Sequence, residues 1–313
     1  MKPYFSIIIP LYNKGNHIKD TLNSVWSQSF TDFEVIVIND GSTDNSLEKL
    51  KAINDERLKV FNTENQGVSN ARNYGISKAI TELIVFLDAD DIWLEHHLQD
   101  LKDLYEQFPD CGMYCKAYDK KSEQLLISSK FKNISDKKLW KGVVEDYFYS
   151  SLMSSIAWTS AVMIPKSAFE NIGQFNSDYN SGEDTDLWIR IALKYPVAFS
   201  NNVSAIHNLS SEHKITDSKL SSRKHIDFNV FTNEEKQNKI LKKYLDLNRY
   251  AAAIQYKLES DSFASKTIYM HINANNLTSL QKVIFHAPNF VIRQLIKSRN
   301  FLRRLNLDLR LFR

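Results

Sequence analysis

Phe86-Leu87-Asp88-Ala89-Asp90-Asp91 sets three carboxylates at the end of the apolar run Leu83 to Leu87. That run is short, β-branched and aromatic, the composition of a buried strand. Acids this close repel one another, and the repulsion raises their pKa values unless a cation sits among them. A hard divalent metal, Mg²⁺ or Mn²⁺, takes oxygen ligands and leaves positions open for phosphate oxygens. A plainer role competes. Acids cap helices, and a helix starting near Trp93 would carry Leu94, Leu98, Leu101 and Phe108 on one face. Capping needs one acid, so three favour the metal. A second acidic group, Glu183-Asp184-Thr185-Asp186, opens an amphipathic stretch with Leu187, Trp188, Ile191 and Ala192 inward. Acids at a helix start suit the helix dipole, so Glu183 and Asp184 taken alone could be structural.

The elements before these acids form a regular series. Tyr4 to Ile9 reads as a buried strand and Pro10-Leu11-Tyr12-Asn13 as the loop after it. Ile18, Leu22, Val25 and Trp26 have helical spacing. Phe33 to Ile38 is a second strand, running into Asn39-Asp40-Gly41-Ser42-Thr43-Asp44. Gly41 permits a tight turn there, and Ser42 or Asp44 can cap a helix carrying Leu47, Leu50 and Ile53. Leu58 to Phe61 is a third strand. Asn65-Gln66-Gly67 then turns into a helix with Val68, Ala71, Gly75 and Ala79 inward. This alternation implies an α/β fold with a doubly wound, mostly parallel sheet. Right-handed crossovers bring the loops after the strands to one edge, where such sheets bind ligands. That edge carries Tyr12, Asp40, Arg72 and the acids 88–91. Together they suit a nucleotide: an aromatic face for a base, a carboxylate for a ring N–H, an arginine and a metal for phosphates. Neither G-x-G-x-x-G nor G-x-x-x-x-G-K-[ST] occurs, which disfavours a dinucleotide fold and a P-loop.

Further on, Cys111 to Tyr118 looks like a strand and Asp119 to Asp136 like a polar excursion. Trp158-Thr159-Ser160 leads into a strand from Ala161 to Ile164, stopped by Pro165, and Asn176 to Gly182 is a polar loop. The two cysteines, Cys111 and Cys115, fit no common zinc or redox spacing and pack as small apolar groups, as expected in a reducing cytosol. Ile7-Ile8-Ile9 is too short for a signal sequence and is closed by Pro10. No 18-residue apolar window occurs, so no transmembrane helix is expected.

In their order along residues 4–210, five motifs resemble family 2 glycosyltransferases of the nucleotide-sugar-dependent GT-A type. They are Ile9 to Asn13, Asn39 to Asp44, Asn65 to Gly75, Phe86 to Asp91, and Gly182 to Trp188. The resemblance implies a GT-A fold and transfer of a sugar from a nucleoside diphosphate with inversion at the anomeric carbon. Carried over position by position, it puts Pro10 and Tyr12 beside a base, uracil in most relatives, with Asp40 accepting the base's N–H. It puts Arg72 near base and phosphates, Asp88 on ribose and phosphate, and Asp90 on the metal. It makes Asp184 the catalytic base, with Glu183 beside it on the donor or acceptor side. His207 falls where some relatives have a phosphate-side or acceptor-side group; a structural histidine would read the same. The chemistry agrees. An acceptor hydroxyl needs one positioned base, and the departing diphosphate needs positive charge, so two acidic sites far apart in sequence are wanted. Processive members carry Gln-x-x-Arg-Trp and transmembrane helices. Here Trp188 and Arg190 follow Asp184 instead, which implies one sugar per encounter.

Three other readings compete. A nucleotidyltransferase that makes sugar nucleotides would carry a Gly-rich, Lys/Arg-bearing loop where this chain has Pro10 to Asn13. A two-carboxylate glycosidase would not need the Asp40 and Arg72 loops. A non-catalytic nucleotide-binding scaffold would not need Asp40, Asp88, Asp90 and Asp184 together.

The sequence divides into a catalytic domain over 1–210, a helical region over 211–280 and a basic segment over 281–313. Thr232-Asn233-Glu234-Glu235 reads as a capping box for a helix carrying Ile240, Leu241, Tyr244 and Leu245, packed on the acceptor side. His213, His225 and His271 read as surface groups. Net charge is +3 for 313 residues, which implies no nucleic-acid partner. Residues 281–313 alone carry eight basic side chains and one acid, a net +7 that leaves the rest at −4. Their apolar positions, from Val283 to Phe312, alternate with the basic ones, and Pro288 separates two helical pieces. Such a segment suits either an anionic membrane interface or docking on the protein. The membrane reading matches a cytoplasmic enzyme peripheral on the inner face of the cell membrane, acting on a saccharide acceptor such as a polyprenyl-diphosphate-linked sugar.

Overall fold

A computed structural model describes residues 2–122, 125–212 and 214–304. Among these, the strands are β1 (Phe5–Leu11), β2 (Phe33–Asp40), β3 (Leu58–Thr63), β4 (Leu83–Phe86), β5 (Ile92–Trp93), β6 (Met113–Ser122), β7 (Leu125–Ser128), β8 (Lys141–Val143), β9 (Val162–Pro165) and β10 (Val197–Asn208). The α-helices are α1 (Ile18–Trp26), α2 (Ser46–Lys51), α3 (Val68–Lys78), α4 (His97–Gln107), α5 (Tyr147–Ser150), α6 (Lys166–Ile172), α7 (Glu183–Lys194), α8 (Thr232–Gln237), α9 (Lys239–Leu258), α10 (Ser262–Met270), α11 (Ser279–His286) and α12 (Asn289–Arg304).

All strands join one sheet, ordered β3-β2-β1-β4-β9-β6-β10-β5, with β7 on β6 and β8 on β10. β1 pairs in parallel with β2 and β4, and β2 with β3. β9 then runs antiparallel between β4 and β6, while β6 and β10 pair in parallel. The strand order therefore reverses beside β1, between β2 and β4. Open α/β sheets bind ligands at such a switch point, outside the carboxyl ends of the strands.

Every residue of β1 and β2 is buried, as expected of parallel strands covered on both faces. Ile7, Ile9, Val35 and Val37 face Ile18, Leu22 and Val25 of α1 and Leu98, Leu101 and Leu104 of α4. Ile8, Ile36, Ile38 and Phe86 face Ala71 and Ile76 of α3, and this core continues through Trp188 to Leu241, Tyr244 and Tyr250 of α9. A Cβ on Gly75 would stand 2.5 Å from Ile8 Cγ2, so its lack of a side chain lets α3 lie close on β1.

Several expectations change. β1 includes Pro10 and Leu11, which the sequence reading placed in the following loop. The helix expected near Trp93 begins at His97, because Ile92 and Trp93 pair with β10 instead. The polar excursion from Asp119 is a hairpin, with Asp119 opposite Ser128. Thr232 does not cap a long helix. α8 is short, and α9 starts afresh at Asn238, whose side chain accepts from the N–H groups of Ile240 and Leu241. A capping box stands instead at Thr278 and Gln281, before α11.

Candidate active site

β1 and β2 deliver two loops that are laced together. Asn13, at φ 51°, accepts through Oδ1 from Thr43 N at 2.8 Å, and its own N–H donates to Ser42 Oγ. Lys14 N donates to Ser46 Oγ, and Gly15 N donates to Asp44 Oδ2 at 2.9 Å. Pro10 lies within the buried strand, and Tyr12, just beyond it, is 43% exposed and free to meet a flat ligand. Asp40 closes β2. Its carboxylate accepts from Thr63 Oγ1 and from the backbone N–H groups of Gln66 and Gly67 at 2.9 and 2.8 Å. These bonds fix the turn into α3 and leave Asp40 little capacity for a base N–H. Asp40 also lines a cavity of about 530 Å³ with Glu64, Asn70, Asn73 and Tyr74.

Arg72 is buried on α3 and joins the two acidic sites. Its guanidinium donates to Asp88 Oδ1 and to Glu183 Oε1, each at 2.8 Å, over the face of Phe175. Burial alone would lower its pKa; Asp88 and Glu183 outweigh burial and hold it above the usual arginine range. Burial, then the neighbouring Asp184, raises the Glu183 carboxyl, and Arg72 pulls it back down. Asp184 sits beside Glu183 at the start of α7, half-buried. Its Oδ1 accepts from Thr185 N at 2.6 Å, and Oδ2 accepts from no described residue.

The loop after β4 separates its three acids. Asp88 keeps its N–H on Ser160 Oγ at 3.0 Å and its carboxylate on Arg72. Asp90 Oδ2 receives Lys14 Nζ at 2.7 Å and Ser211 Oγ at 2.5 Å. Asp91, which the sequence grouped with the cation-facing acids, turns inward. It accepts from Ser160 Oγ at 2.6 Å and Asn208 N at 3.0 Å, tying β4 to β9 and β10. Burial, then Asp88 and Asp90, raises its carboxyl well above the usual range. None of the three caps a helix.

His207 stacks on Trp158, ring centroids 4.9 Å apart. Burial and Lys120 bring its pKa down to about 4, against the opposing pull of Asp88 and Asp90. His225 is not a surface group. It is half-buried, its Nδ1 lies 3.0 Å from Ser181 Oγ, and Ile226 N donates to Ser181 O. This contact holds the turn before Glu183. Gly182 adopts φ +78° there, and a Cβ on it would meet Ile226 Cγ2 at 2.5 Å. His271 is exposed, and His213 lies outside the described residues.

The residues fit a divalent metal of the Mg²⁺ or Mn²⁺ kind, which is held by one or two carboxylates and completed by substrate phosphates. Asp90 already holds a cation, the Lys14 ammonium, beside Asp88 and a neutral His207. Among the described residues no three His, Cys, Asp or Glu side chains converge as a closed protein cage. Sequence reasoning missed Lys14, Ser160 and Ser211. Ser211 follows β10, a strand the sequence did not announce, and Lys14 comes just after the loop read as Pro10 to Asn13. A larger cavity of about 660 Å³ lies around Arg190 and Val230 and includes none of Asp88, Asp90 or Asp184.

Comparison with known proteins agrees with this geometry. The family model for glycosyl transferase family 2 matches residues 6–171. An uncharacterized glycosyltransferase of Rickettsia typhi is 30% identical over 215 residues, 66% of this chain and 65% of the relative. A second such relative, from Rickettsia felis, aligns over only 36% of its length, so the chain matches under two thirds of these first relatives. The putative teichuronic acid biosynthesis glycosyltransferase TuaG of Bacillus subtilis is 27% identical, covering 71% of this chain and 83% of its own. The fold matches S. aureus TarS 1-349 in complex with UDP-GlcNAc, with TM-score 0.67 and 19% identity over 90% of this chain and 86% of that one. The fold is thus the GT-A arrangement with C-terminal helices, and the chain belongs to glycosyl transferase family 2.

Proposed function

We propose that the protein is an inverting glycosyltransferase that moves a single sugar from a nucleoside-diphosphate sugar to the hydroxyl of a saccharide acceptor. The Arg72 bridge carries this reading. One buried guanidinium holds Asp88, from the donor-side loop, and Glu183, from the start of α7, so both acidic sites share one frame. Asp184, next to Glu183, keeps an uncommitted oxygen at the rim. In the reaction Asp184 takes the proton of the acceptor hydroxyl as its oxygen bonds to the anomeric carbon. The bond from that carbon to the diphosphate oxygen breaks, and its electron pair leaves with the nucleoside diphosphate. Arg72 pairs with Glu183 beside Asp184 and fixes the spacing between base and donor. Asp90 would hold a Mn²⁺ or Mg²⁺ ion, which when bound supplies positive charge to the diphosphate.

The donor is a UDP-sugar. The exposed Tyr12 ring suits the flat face of a base, and the TarS structure of this fold contains UDP-GlcNAc. The acceptor is a lipid-linked saccharide met at the inner face of the cell membrane, in surface polysaccharide synthesis. TuaG's assignment to teichuronic acid biosynthesis favours this. So does the C-terminal surface. α11 and α12 dock through Ile284, Phe285 and Ile292, yet Val283 and Phe290 face solvent. On the adjoining α10, Phe263 is 83% and Met270 76% exposed. The exposed Lys266, Arg293 and Lys297 stand beside these residues, a pattern that suits an anionic lipid surface. No helix among the described residues is long and apolar enough to cross a membrane. Residues 305–313, with Arg310 and Arg313, lie outside the described residues.

The test is a donor screen. Purified protein is incubated with Mn²⁺ or Mg²⁺ and a panel of UDP-, GDP- and dTDP-sugars, and nucleoside diphosphate release is followed with and without EDTA. Metal-dependent release from one UDP-sugar is expected. No release from any donor, together with no nucleotide binding, would overturn the proposal.

A further inference from the structure

Lys14 is neither an incidental surface lysine nor one of the family motif residues named above. Its ammonium is nearly enclosed, 2.7 Å from Asp90 Oδ2, and also donates to Glu212 O at 2.5 Å. The same Asp90 oxygen accepts from Ser211 Oγ. Glu212 in turn accepts from Asn16 Nδ2 at 2.6 Å and lies 2.8 Å from His17 Nε2. Lys214 Nζ folds back on Leu209 O. The segment after β10 is therefore fastened across the donor-side loop at both ends: by Asn208 on Asp91, and by Ser211 and Glu212 on Asp90 and residues 14–17. The backbone of Lys14 is itself fixed through Ser46 and follows the left-handed Asn13, so its position is built in by the two laced loops.

A flexible ammonium on a carboxylate can be exchanged for a stronger cation at low cost, because it is a point charge with rotatable donors. A divalent ion on the Asp90 carboxylate would stand against the Lys14 ammonium that already shares Oδ2 with Ser211 Oγ, and the two like charges repel. Freed from Asp90, the ammonium keeps its bond to Glu212 O and can donate to a diphosphate bound at that edge.

We propose that Lys14 is the resident counter-cation of the donor site. It neutralises Asp90 and clasps residues 208–212 before donor arrives, and it transfers to the donor's diphosphate when a divalent metal takes Asp90. The inference rests on the glycosyltransferase reading above. It predicts opposite signs for two binding constants in one variant.

The experiment is titration calorimetry on wild type and Lys14→Met, with Mn²⁺ alone and then with UDP at saturating Mn²⁺. Removing the competing ammonium tightens Mn²⁺ binding by about tenfold, and removing the diphosphate's cation weakens UDP by about tenfold, the scale of one partly buried charge pair. Lys14→Arg, which keeps the charge but not the compact ammonium, shifts both constants less than Lys14→Met does. Lys14→Gln replaces Lys14→Met if the latter does not fold. Unchanged constants, or both weakened together, would overturn the inference while leaving the glycosyltransferase reading intact. Wild-type protein that binds no UDP at all would overturn that reading and this inference with it.

Discussion

Two buried arginines do similar chemistry in different halves of the molecule. Arg72 bridges Asp88 and Glu183; Arg249 on α9 bridges Glu235 at 2.6 Å and Asp246 at 3.2 Å. Each leaves its Nε without a partner among the described residues. The surroundings separate them. Around Arg249 the charges balance: Lys242 supplies a second cation at 2.7 Å from Asp246, and Asn273 N and Asn276 Nδ2 fill the other Asp246 oxygen. Around Arg72 one cation faces Asp88, Glu183 and Asp184, and one Asp184 oxygen is uncommitted. A buried ion pair is weak evidence of function by itself. An excess of one sign with an open acceptor is stronger, because it leaves work for a substrate, a proton or a metal to do.

The comparison breaks or holds on measurable differences. Asp184→Asn is expected to lower sugar transfer by about 10²–10⁴-fold, the range for one general base, with UDP affinity unchanged. If affinity fell together with rate, Asp184 would belong to donor binding. Arg72→Met and Arg249→Met should each destabilise the fold by about 3–5 kcal/mol in denaturant unfolding, since each strands buried carboxylates. Only Arg72→Met should also abolish donor turnover in protein that is still folded. Loss of turnover in folded Arg249→Met would erase the distinction drawn here.

One histidine in each region gives a pH test. His207 and His225 are both held down to about 4, chiefly by burial, against an unfolded value of 6.5. The unfolded chain therefore binds protons between these values and the folded chain does not. Stability is complete above about 6.5 and falls as pH drops towards about 4, by on the order of 1–3 kcal/mol per histidine. His207→Gln and His225→Gln should each flatten the fall in a thermal melting series; an unaltered slope would show that neither histidine is desolvated as described. The smallest effect is expected from Lys242→Ala, about 1 kcal/mol, because this lysine lies at the rim of its network and is partly screened by solvent.

The parallel half was legible because each strand is a continuous apolar run ended by turn residues. Tyr4 to Ile9, Phe33 to Ile38, Leu58 to Phe61 and Leu83 to Leu87 all became strands, with ends moved by one or two residues. Two of those shifts matter chemically: β1 gained Pro10 and Leu11, and β2 gained Asn39 and Asp40, so Asp40 is held by a strand and the turn at 63–67. Asp88, Asp90, Glu183 and Asp184 were read as site residues, and the structure gathers them around Arg72 and Lys14. What the sequence concealed is mostly irregular or paired over long range. β10 slips register twice around Ser200, Val203 and Ala205, and Asn201-Asn202 interrupts its apolar pattern. β7 is only Leu125 to Ser128, too short an apolar run to stand out in the polar stretch from Asp119 to Asp136. The partners of Lys14, Asp90 and Glu212, lie far along the chain, the second 198 positions away, where no local pattern announces them.

The turn at Gly182 constrains how the chain can vary. Its backbone is pressed against Ile226, and Ser181 against His225, from the far side of the α7 start. The seat of Asp184 is therefore encoded in two stretches 44 residues apart, on either side of β10. A chimera that took its helices from one relative and its sheet from another would have to bring both stretches from one parent. A crossover anywhere between them would separate the start of α7 from the His225 and Ile226 that seat it. In such a lineage the placement of Asp184 would be inherited only by the pair.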